Sequence, residues 1–224
     1  MNNKEVQYNL IKRRILTLEL EPGSDLDEAT ICKESGLSRT PVREILQKLA
    51  GEGYIRLVGN RGASVASMNH KTLRDFFRTA PMIYSVIGRL AAQNATPEQI
   101  AVLKKIQNSF KEAVKAEDAE AMVTYNNQFH AQMGEMANNQ YLLPSLNRLL
   151  IDHARIAQTF YRPTDAQSAQ NLKSSCEHHD QFIEAIEQRD EDRTVSITQA
   201  HWDLSRSHME LYIHPGPLEA DCDF

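Results

Sequence analysis

Long stretches of helical periodicity fill the sequence from about residue 71 to residue 212, with no glycine-rich or strand-like segment between them. They predict helices over residues 71–94, 97–116, 118–137, 140–161, 169–188 and 191–212. Breaks separate these helices at Thr96-Pro97, Asn138-Asn139, Arg162-Pro163 and Arg189-Asp190. Amphipathic helices joined by such short connections bury their apolar faces against one another. This part of the chain is therefore expected to be an all-α antiparallel bundle.

The first 66 residues have a different pattern, with shorter helical segments and two turn signals. Apolar residues at helical spacing predict a helix over 5–18, which ends at the Pro-Gly of "EPGSDL". Asp27 is a candidate N-cap of a second helix that ends near Gly36, and Ser38 or Thr40 can cap a third. In "YIRLVGNRGASVAS", apolar and β-branched residues flank Gly-Asn-Arg-Gly, which is typical of a β-hairpin with a tight turn.

This change of pattern predicts two domains and a tail. Residues 1–68 are expected to form three helices and a small β-hairpin, 69–214 the helical bundle, and 215–224 a frayed tail, so the fold class is mainly α. The sequence has no run of eighteen apolar residues and no signal-peptide pattern, which predicts a cytoplasmic protein. Its three cysteines lack CxxC spacing and indicate neither a disulfide framework nor a zinc ribbon.

The charge is unevenly distributed along the chain, whose formal net charge is −5. Residues 1–66 contain ten Lys or Arg and nine Asp or Glu, whereas the remainder contains 15 and 21. A nearly neutral domain can still bind phosphate if its arginines gather on one face, because the local field matters more than the sum over the chain. The positions of the arginines therefore decide whether nucleic acid is a plausible partner.

The third predicted helix, within "GLSRTPVREILQKLAGEGY", has two distinct faces. Apolar residues at helical spacing form a stripe for burial, namely Val42, Ile45, Leu46 and Leu49. Arg39 and Arg43 lie four residues apart on another face, so both guanidinium groups project near the start of the helix. Arginine can pair with the O6 and N7 atoms of guanine in the major groove, while hydroxyls bind phosphate. Taken alone, two such arginines are more often solvated surface residues, with Arg43 paired to a local carboxylate.

The surrounding sequence makes the DNA-binding interpretation more specific. The segment "ILTLELEPGSDLDEATICKESGLSRTPVREILQKLAGEGYIRLVGNRGASV" resembles the winged helix-turn-helix domain of GntR-type bacterial transcription regulators. The resemblance includes the Leu-Ser-Arg-Thr-Pro-Val-Arg-Glu run and the Asn-Arg-Gly-Ala wing, and it covers about residues 8 to 66. It implies DNA contacts from the recognition helix and the wing through Ser38, Arg39, Thr40, Arg43, Arg61 and Gly62.

Four polar residues of the helical part have the side chains of a metal site. Asn126 and His130 are four apart on one predicted helix, and His179 and His201 lie on the last two. Three imidazoles and one oxygen ligand could surround a divalent cation inside a bundle. From the residues alone, any single histidine is more often a core or surface residue than a metal ligand. The sequence also does not constrain the distances between residues on different helices.

The helical part is similar to the FCD effector-binding domain of the FadR subgroup of GntR regulators. That family carries an Asp-x-x-x-His on one helix and a histidine on each of the last two, which matches the positions Asn126, His130, His179 and His201. The resemblance implies a divalent metal such as zinc or nickel, although Asn126 replaces the usual aspartate and offers a weaker ligand. The family's arginine and glutamate of the first bundle helix match Ala80 and Tyr84, and the remaining pocket candidates are Arg78, Tyr84 and Arg89.

Together, the two resemblances imply a bacterial transcription regulator that is not an enzyme. A homodimer would bind an inverted-repeat DNA operator, more often as a repressor than as an activator in this family, and a small organic acid or related metabolite would bind in the bundle. Two alternatives remain open at this point. The helical domain could be a metal-free dimerisation module, for which Asn126 is the supporting feature, or the histidines could form a metal-dependent hydrolase site.

Overall fold

The computed structural model describes residues 3–59 and 62–213, with the backbone alone for residues 207–213. In the N-terminal part, the elements are α1 (Asn3–Leu16), β1 (Asp25–Leu26), α2 (Glu28–Ser35), α3 (Arg39–Glu52), β2 (Ile55–Leu57) and β3 (Ala63–Val65). Asp27 caps α2 by accepting a hydrogen bond from the Thr30 amide, and Gly36 ends that helix in the left-handed conformation. The expected start and end of the second helix follow from these caps. The first helix ends at Leu16 and not at residue 18, because Leu18 has a positive φ of 62° that no α-helix continues through.

The three strands form an antiparallel sheet in the order β1-β3-β2. The predicted hairpin corresponds to β2 and β3, where Arg56 is paired with Ser64. The strand β1 was not anticipated, because two residues are too short for an alternating pattern to be recognised. Its Asp25 pairs with Ser64 on the other edge of β3. This small sheet packs against the apolar stripe of α3, which is fully buried as predicted.

The second part consists of helices only, within the described residues. They are α4 (His70–Asn94), α5 (Pro97–Lys115), α6 (Ala119–Ala137), α7 (Leu142–Phe160), α8 (Ala166–Glu187) and α9 (Glu191–Ile213). The helix α8 begins three residues earlier than the periodicity predicts, because Asp165 and Ser168 form a capping box. The predicted fold class is confirmed: a mainly α chain with a small sheet near its N-terminus and a helical bundle after it.

Helix α7 of the bundle packs against the N-terminal part. Its Ile151 packs in the same apolar cluster as the core of the winged part. The Gln158 side chain donates a hydrogen bond to the Leu16 carbonyl at the end of α1, and Arg155 donates to the Ala66 carbonyl just after β3. One helix therefore contacts both the start and the end of the N-terminal domain.

A cleft of about 990 Å³ lies between the two parts, bordered by α1, the end of α3 and the helices α6 and α7. Polar side chains such as Lys12, Arg13 and Asn127 line it together with Tyr54. None of the clustered histidines described below lines this cleft. Among the described helices, none combines the length and the apolar character that crossing a membrane requires.

Candidate DNA-binding surface and metal site

The recognition surface predicted from sequence is exposed at the start of α3. Ser38 is the N-cap of α3 in an extended conformation, and its side chain makes no cap hydrogen bond. Ser38, Arg39, Thr40 and Arg43 are all exposed. A helix start with free hydroxyls and unsatisfied amide groups is a favourable place for a phosphate. The surface therefore has the composition and the accessibility that DNA contacts need.

The Glu28 carboxylate lies next to both arginines of this surface. The Arg43 Nε atom donates to the Glu28 carboxylate at 2.9 Å, and the Arg39 Nε atom lies 4.0 Å from the other oxygen. The Arg43 side chain remains 63% exposed and that of Arg39 76%, whereas Glu28 is 20% exposed. The ion pair with Glu28 raises the pKa of the Arg43 guanidinium. The pairing of Arg43 with a local carboxylate, considered from the sequence, is thus present, and Glu28, which the sequence did not identify, supplies that carboxylate.

Gly62 constrains the conformation of the wing. Gly62 has a φ of +98°, and a Cβ atom added there would lie 2.7 Å from the Leu26 carbonyl oxygen. Close approach of β1 therefore requires glycine at this position. Arg61, the other predicted wing contact, lies outside the described residues.

Three of the predicted metal ligands are close together in the bundle. His130 from α6, His179 from α8 and His201 from α9 each offer a ring nitrogen, and these atoms all lie within 4.8 Å of one another. All three side chains are buried. Nitrogens bound to one tetrahedral zinc at about 2.1 Å are about 3.4 Å apart, so small side-chain shifts would close the cluster around an ion. His178, the adjacent histidine on α8, is not a member of this group.

Unpartnered polar atoms mark the same place. His130 Nε2, His179 Nε2 and His201 Nδ1 are buried and have no hydrogen-bond partner among the described residues. Both polar atoms of the Asn126 side chain, which is 1% exposed, are likewise buried and unpartnered. Buried polar atoms without partners are uncommon in folded proteins and call for a missing water or ion. The residues present therefore fit a divalent cation, with one amide oxygen and three imidazole nitrogens as donors.

Gln107 determines which nitrogen of His179 is free. Its side-chain amide donates to the Cys176 carbonyl and to Asp180, so its oxygen faces His179. That oxygen lies 3.1 Å from His179 Nδ1 and accepts the proton on this atom. His179 Nε2 consequently keeps its lone pair for a ligand. A hydrogen bond of this kind on the remote nitrogen is typical of metal-binding histidines.

Burial keeps these imidazoles neutral. It is the main cause that lowers the pKa of His179 to about 3, with smaller contributions from His153 and His178. Burial and the neighbouring imidazoles also lower the pKa of His130 and of His201 well below the usual value. Only a neutral imidazole has a lone pair for a metal, so the site is ready for a cation at neutral pH.

The free energy of unfolding of the metal-free protein is expected to fall as the pH decreases from 7 to 5. An unfolded histidine binds a proton near pH 6.5, whereas burial lowers the pKa of His153 to about 4 and His179 to about 3. The unfolded state therefore binds more protons in this range, which costs up to about 1.4 kcal/mol per pH unit for each such imidazole. Urea unfolding in the presence of a chelator measures this slope.

The exposed His70 provides the control for that measurement. His70→Gln should leave the slope unchanged, whereas His153→Phe should reduce it by removing one buried imidazole. A stability that stays constant or rises on acidification to pH 5 would contradict the burial of neutral imidazoles.

A fourth imidazole, not anticipated from the sequence, lies beside the cluster. His153 from α7 is buried, and its ring centroid is 5.0 Å from that of His130. The Tyr84 hydroxyl is 3.0 Å from His153 Nδ1, and the Tyr84 ring packs edge-on against His130. Tyr84 thus stands at the cluster, as the pocket prediction proposed. The apolar residues around His153 in "LLIDHARIAQTF" indicate that this segment is buried. No sequence pattern, however, shows which helix a buried histidine faces.

The other two pocket candidates are not brought to the cluster. Arg78 is exposed on α4. Arg89 forms ion pairs with Glu191 and Asp192 at the start of α9, on the surface. Both arginines lie on α4, but only the face that carries Ala80 and Tyr84 is buried in the bundle. A role for Arg78 or Arg89 in contacting a ligand at the imidazoles has no support in this geometry.

These features define a class of protein. A winged helix-turn-helix with exposed arginines, joined to a helical bundle with buried ligand-type side chains, is the architecture of a DNA-binding transcription regulator. The chain belongs to the GntR family of bacterial regulatory proteins: the family model described as "Bacterial regulatory proteins, gntR family" matches residues 4–65, and the FCD domain model matches residues 81–204. Both resemblances seen in the sequence are thereby confirmed.

Characterised relatives and a solved structure agree with this assignment. The Nta operon transcriptional regulator of Aminobacter aminovorans is 27% identical over 186 residues, which cover 83% of this chain and 84% of that protein. The gluconate operon transcriptional repressor of Bacillus subtilis (strain 168) is 28% identical over 197 residues, covering 88% and 79%. The structure of E. coli McbR/YncC superposes with a TM-score of 0.79 at 18% identity, covering 95% of this chain and 99% of that one, and shows the same fold.

The family assignment also decides between regulator and enzyme. Members of this family are transcription regulators, and the prediction that the chain is not an enzyme is confirmed. The alternative of a metal-dependent hydrolase is therefore set aside.

Proposed function

We propose that this chain is a metabolite-responsive repressor that acts in the cytoplasm as a homodimer on an inverted-repeat operator. Residues 1–68 read DNA, and residues 69–214 bind the effector and the second subunit. Support for repression comes from the relatives, two of which are named as gluconate operon repressors. Support for an apolar contact between subunits comes from α4, where Met82 and Val86 lie one turn apart and are 61% and 40% exposed.

The recognition helix would read the operator through Arg39 and Arg43. The observation that carries this proposal is the pair of exposed guanidinium groups, aligned by Glu28 at the start of α3. In this orientation, each can reach a guanine edge in the major groove, while Ser38 and Thr40 bind phosphate. The wing would add Arg61 and Gly62. Two such surfaces in a dimer would match two half-sites of one operator.

The bundle would hold a divalent cation, such as zinc or nickel, on Asn126, His130, His179 and His201. The unpartnered donor atoms of these four side chains support this assignment. When bound, such a cation would supply the positive charge that attracts an acidic metabolite. An effector that binds one arrangement of the two winged domains better than another shifts the population between them and so changes the affinity for DNA.

Removal of either arginine is expected to reduce specific DNA binding. Each of Arg39→Ala and Arg43→Ala should weaken binding to the operator by about 1 to 3 kcal/mol and reduce discrimination against a scrambled sequence, because one bidentate base contact is lost. Fluorescence anisotropy on DNA from upstream of the gene, at two salt concentrations, measures both quantities. If genomic fragments give no tight binder, selection from random sequences supplies the operator.

Lys105→Ala on α5 is the matched control, because Lys105 is an exposed cation of the helical part. It should leave the affinity and the discrimination unchanged. Equal losses on operator and scrambled DNA would mean that the arginines bind phosphate only. If selection returns no sequence preference at all, the proposal of a sequence-specific regulator is refuted.

A metal-free dimerisation module is the second candidate for the bundle, and Asn126 is the observation that favours it. A neutral amide is a weaker ligand than the carboxylate for which it substitutes. The two candidates differ in metal content: the first predicts stoichiometric binding of added zinc, and the second predicts none.

A further inference from the structure

The cleft between the winged part and the bundle is bordered by residues of both, and contacts between these residues join its two walls. Arg13 on α1 pairs with Glu120 on α6 at 2.8 Å. Arg148 on α7 lies so close to Gly53 that a Cβ atom added there would be 2.6 Å from the Arg148 Cδ atom. The cleft has a volume of about 990 Å³. Pockets for small molecules usually have about 300 to 1,000 Å³ and often lie between domains. The cleft therefore has the size and the position of a ligand site.

Apolar side chains of the bundle form much of one wall of the cleft. Val123 comes from α6, and Leu150 and Ala154 come from α7. The amide side chains of Asn127 and Asn147 also line the cleft, and neither forms a hydrogen bond with another described residue. Apolar walls with a small number of available polar groups are typical of pockets that hold organic molecules. The lining therefore suits a ligand with an apolar body and few polar groups.

Most charged side chains of the cleft are already paired. Arg13 is engaged by Glu120, and Arg148 is engaged by the Asp152 carboxylate at 3.1 Å. Lys12, which also lines the cleft, has no carboxylate within ion-pair distance among the described residues. Its ammonium group is therefore the positive charge of this site that is available to a ligand.

The ammonium group of Lys12 lies beside two aromatic rings of the winged part. It is 5.2 Å from the centroid of the Tyr54 ring and 6.0 Å from that of Tyr8, and the side chain is half-buried. The Glu52 carboxylate of the same wall accepts a hydrogen bond from the Tyr8 hydroxyl at 2.5 Å and forms no ion pair with Lys12. A partly desolvated ammonium group favours one negative charge on a ligand, because a charge-assisted hydrogen bond replaces lost hydration. The neighbouring rings favour a planar body.

From this arrangement, we propose that the cleft is a second ligand site, separate from the imidazole cluster, for an organic monoanion with a planar apolar body. The anionic group binds Lys12, and the apolar body packs against Tyr54 and the wall that contains Val123 and Leu150. Because the walls belong to both parts of the molecule, a ligand in the cleft favours the arrangement in which the winged part rests on the bundle. The inference does not depend on the proposed metal site.

The test uses anilinonaphthalene sulfonate, an organic monoanion with planar apolar rings whose fluorescence rises in apolar surroundings. The full chain is titrated with this probe in the presence of a chelator, and isothermal titration calorimetry gives the stoichiometry. Saturable binding of about one probe molecule per chain is expected. Benzoate, a smaller anion of the same class, should displace the probe. Benzamide, which has nearly the same shape without the charge, should do so at least about tenfold less well, because it lacks the charge-assisted hydrogen bond to Lys12.

Two variants assign the probe to the cleft. Lys12→Gln should weaken its binding by about tenfold or more, because the charge-assisted contact is lost. Gly51 lines the cleft, and a Cβ atom added there meets nothing within 4 Å, so the ring of Gly51→Phe enters open space and should weaken binding by a similar factor. The matched controls are Gly51→Ala, which leaves the cleft open, and Lys105→Gln on α5, outside the cleft. Each should change the affinity by less than about threefold. Circular dichroism confirms that each variant keeps its helical content.

Each unfavourable result overturns a different part of the proposal. If the wild-type chain shows no saturable binding, or if Gly51→Phe binds the probe as well as the wild type does, the cleft is not the site. If Gly51→Phe loses the probe while Lys12→Gln keeps it, or if benzamide competes as well as benzoate, the assignment of an anion to Lys12 is wrong. Loss of the probe in His179→Gln would show that the probe occupies the imidazole cluster, and a separate site would then be refuted.

Discussion

Zinc affinity is expected to fall by more than about 100-fold when His179 is replaced by glutamine, since loss of an outer hydrogen-bond partner alone typically costs 10- to 100-fold. His179 offers a buried Nε2 atom without a partner, and Gln107 fixes the proton on its other nitrogen. Glutamine keeps most of the side-chain volume next to Phe129, against which the imidazole stacks at 4.1 Å. The measurement is competition for zinc with a chromophoric chelator.

His178→Gln is the matched control on the same helix. His178 is half-buried and lies outside the group of histidines whose nitrogens could share one ion. Its replacement should change zinc affinity by less than about threefold. The opposite result, with zinc lost in His178→Gln and retained in His179→Gln, would show that the ligand on α8 was assigned to the wrong histidine.

Thermal unfolding gives an independent measurement of the same site. Zinc at 100 times its dissociation constant stabilises the folded state by about 2.7 kcal/mol, if the unfolded chain does not bind it. The wild-type chain and the His178→Gln variant should both gain this stability, and His179→Gln should not. Because unfolding is compared with and without zinc for each variant, any packing defect at Phe129 cancels.

The sequence predicted those parts of the molecule that depend on local patterns. Helical periodicity located the six helices of the bundle, and the caps at Asp27 and Thr96 explain why two of the helix starts are accurate. The apolar stripe of α3 also follows from periodicity. For the histidines, the family resemblance was needed, since residues on α6, α8 and α9 meet only through packing of the bundle.

Two residues that the sequence did not reveal, His153 and Gln107, have partners that are distant in the chain. Tyr84 and His153 are 69 residues apart and Gln107 and His179 are 72 apart, so no local spacing relates them. Glu28 was not recognised as the partner of the two arginines for a different reason. It was expected to lie in the first turn of a helix, where an acid is ordinarily explained by the helix dipole alone.

Arg155 is another such residue, and it connects the two parts of the molecule. Its side chain is fully buried and donates to the Asp152 carboxylate at 3.0 Å and to the Ala66 carbonyl at 2.5 Å. Ala66 follows the wing strand β3, whereas Asp152 precedes His153 on α7. A ligand that moves α7 through His153 would therefore act on the attachment of the wing. Coupling of the bundle to DNA binding along these contacts would require two arrangements of α7 that differ in the contacts of Arg155.

Arg155→Met is expected to lower the free energy of unfolding by about 3 to 5 kcal/mol, the usual cost of removing one partner of a buried ion pair. The variant leaves the Ala66 carbonyl without its donor and the buried Asp152 carboxylate with only one. Urea unfolding of the metal-free protein measures the loss, provided that a single transition is observed. Methionine fills much of the volume of the arginine stem, so a cavity contributes little.

Arg148 makes the comparison precise, because it pairs with the other oxygen of the same carboxylate at 3.1 Å but is 43% exposed. Arg148→Met should cost less than about 1 kcal/mol, as for other solvent-screened pairs. If the penalty of Arg155→Met arises from the stranded charge of Asp152, then adding Asp152→Asn should recover part of it, and the double variant should be more stable than the sum of the single changes predicts. If Arg155→Met and Arg148→Met lower the free energy of unfolding equally, the buried ion pair of Arg155 contributes no more than a surface ion pair. Arg155 would then not be the residue that attaches α7 to the wing.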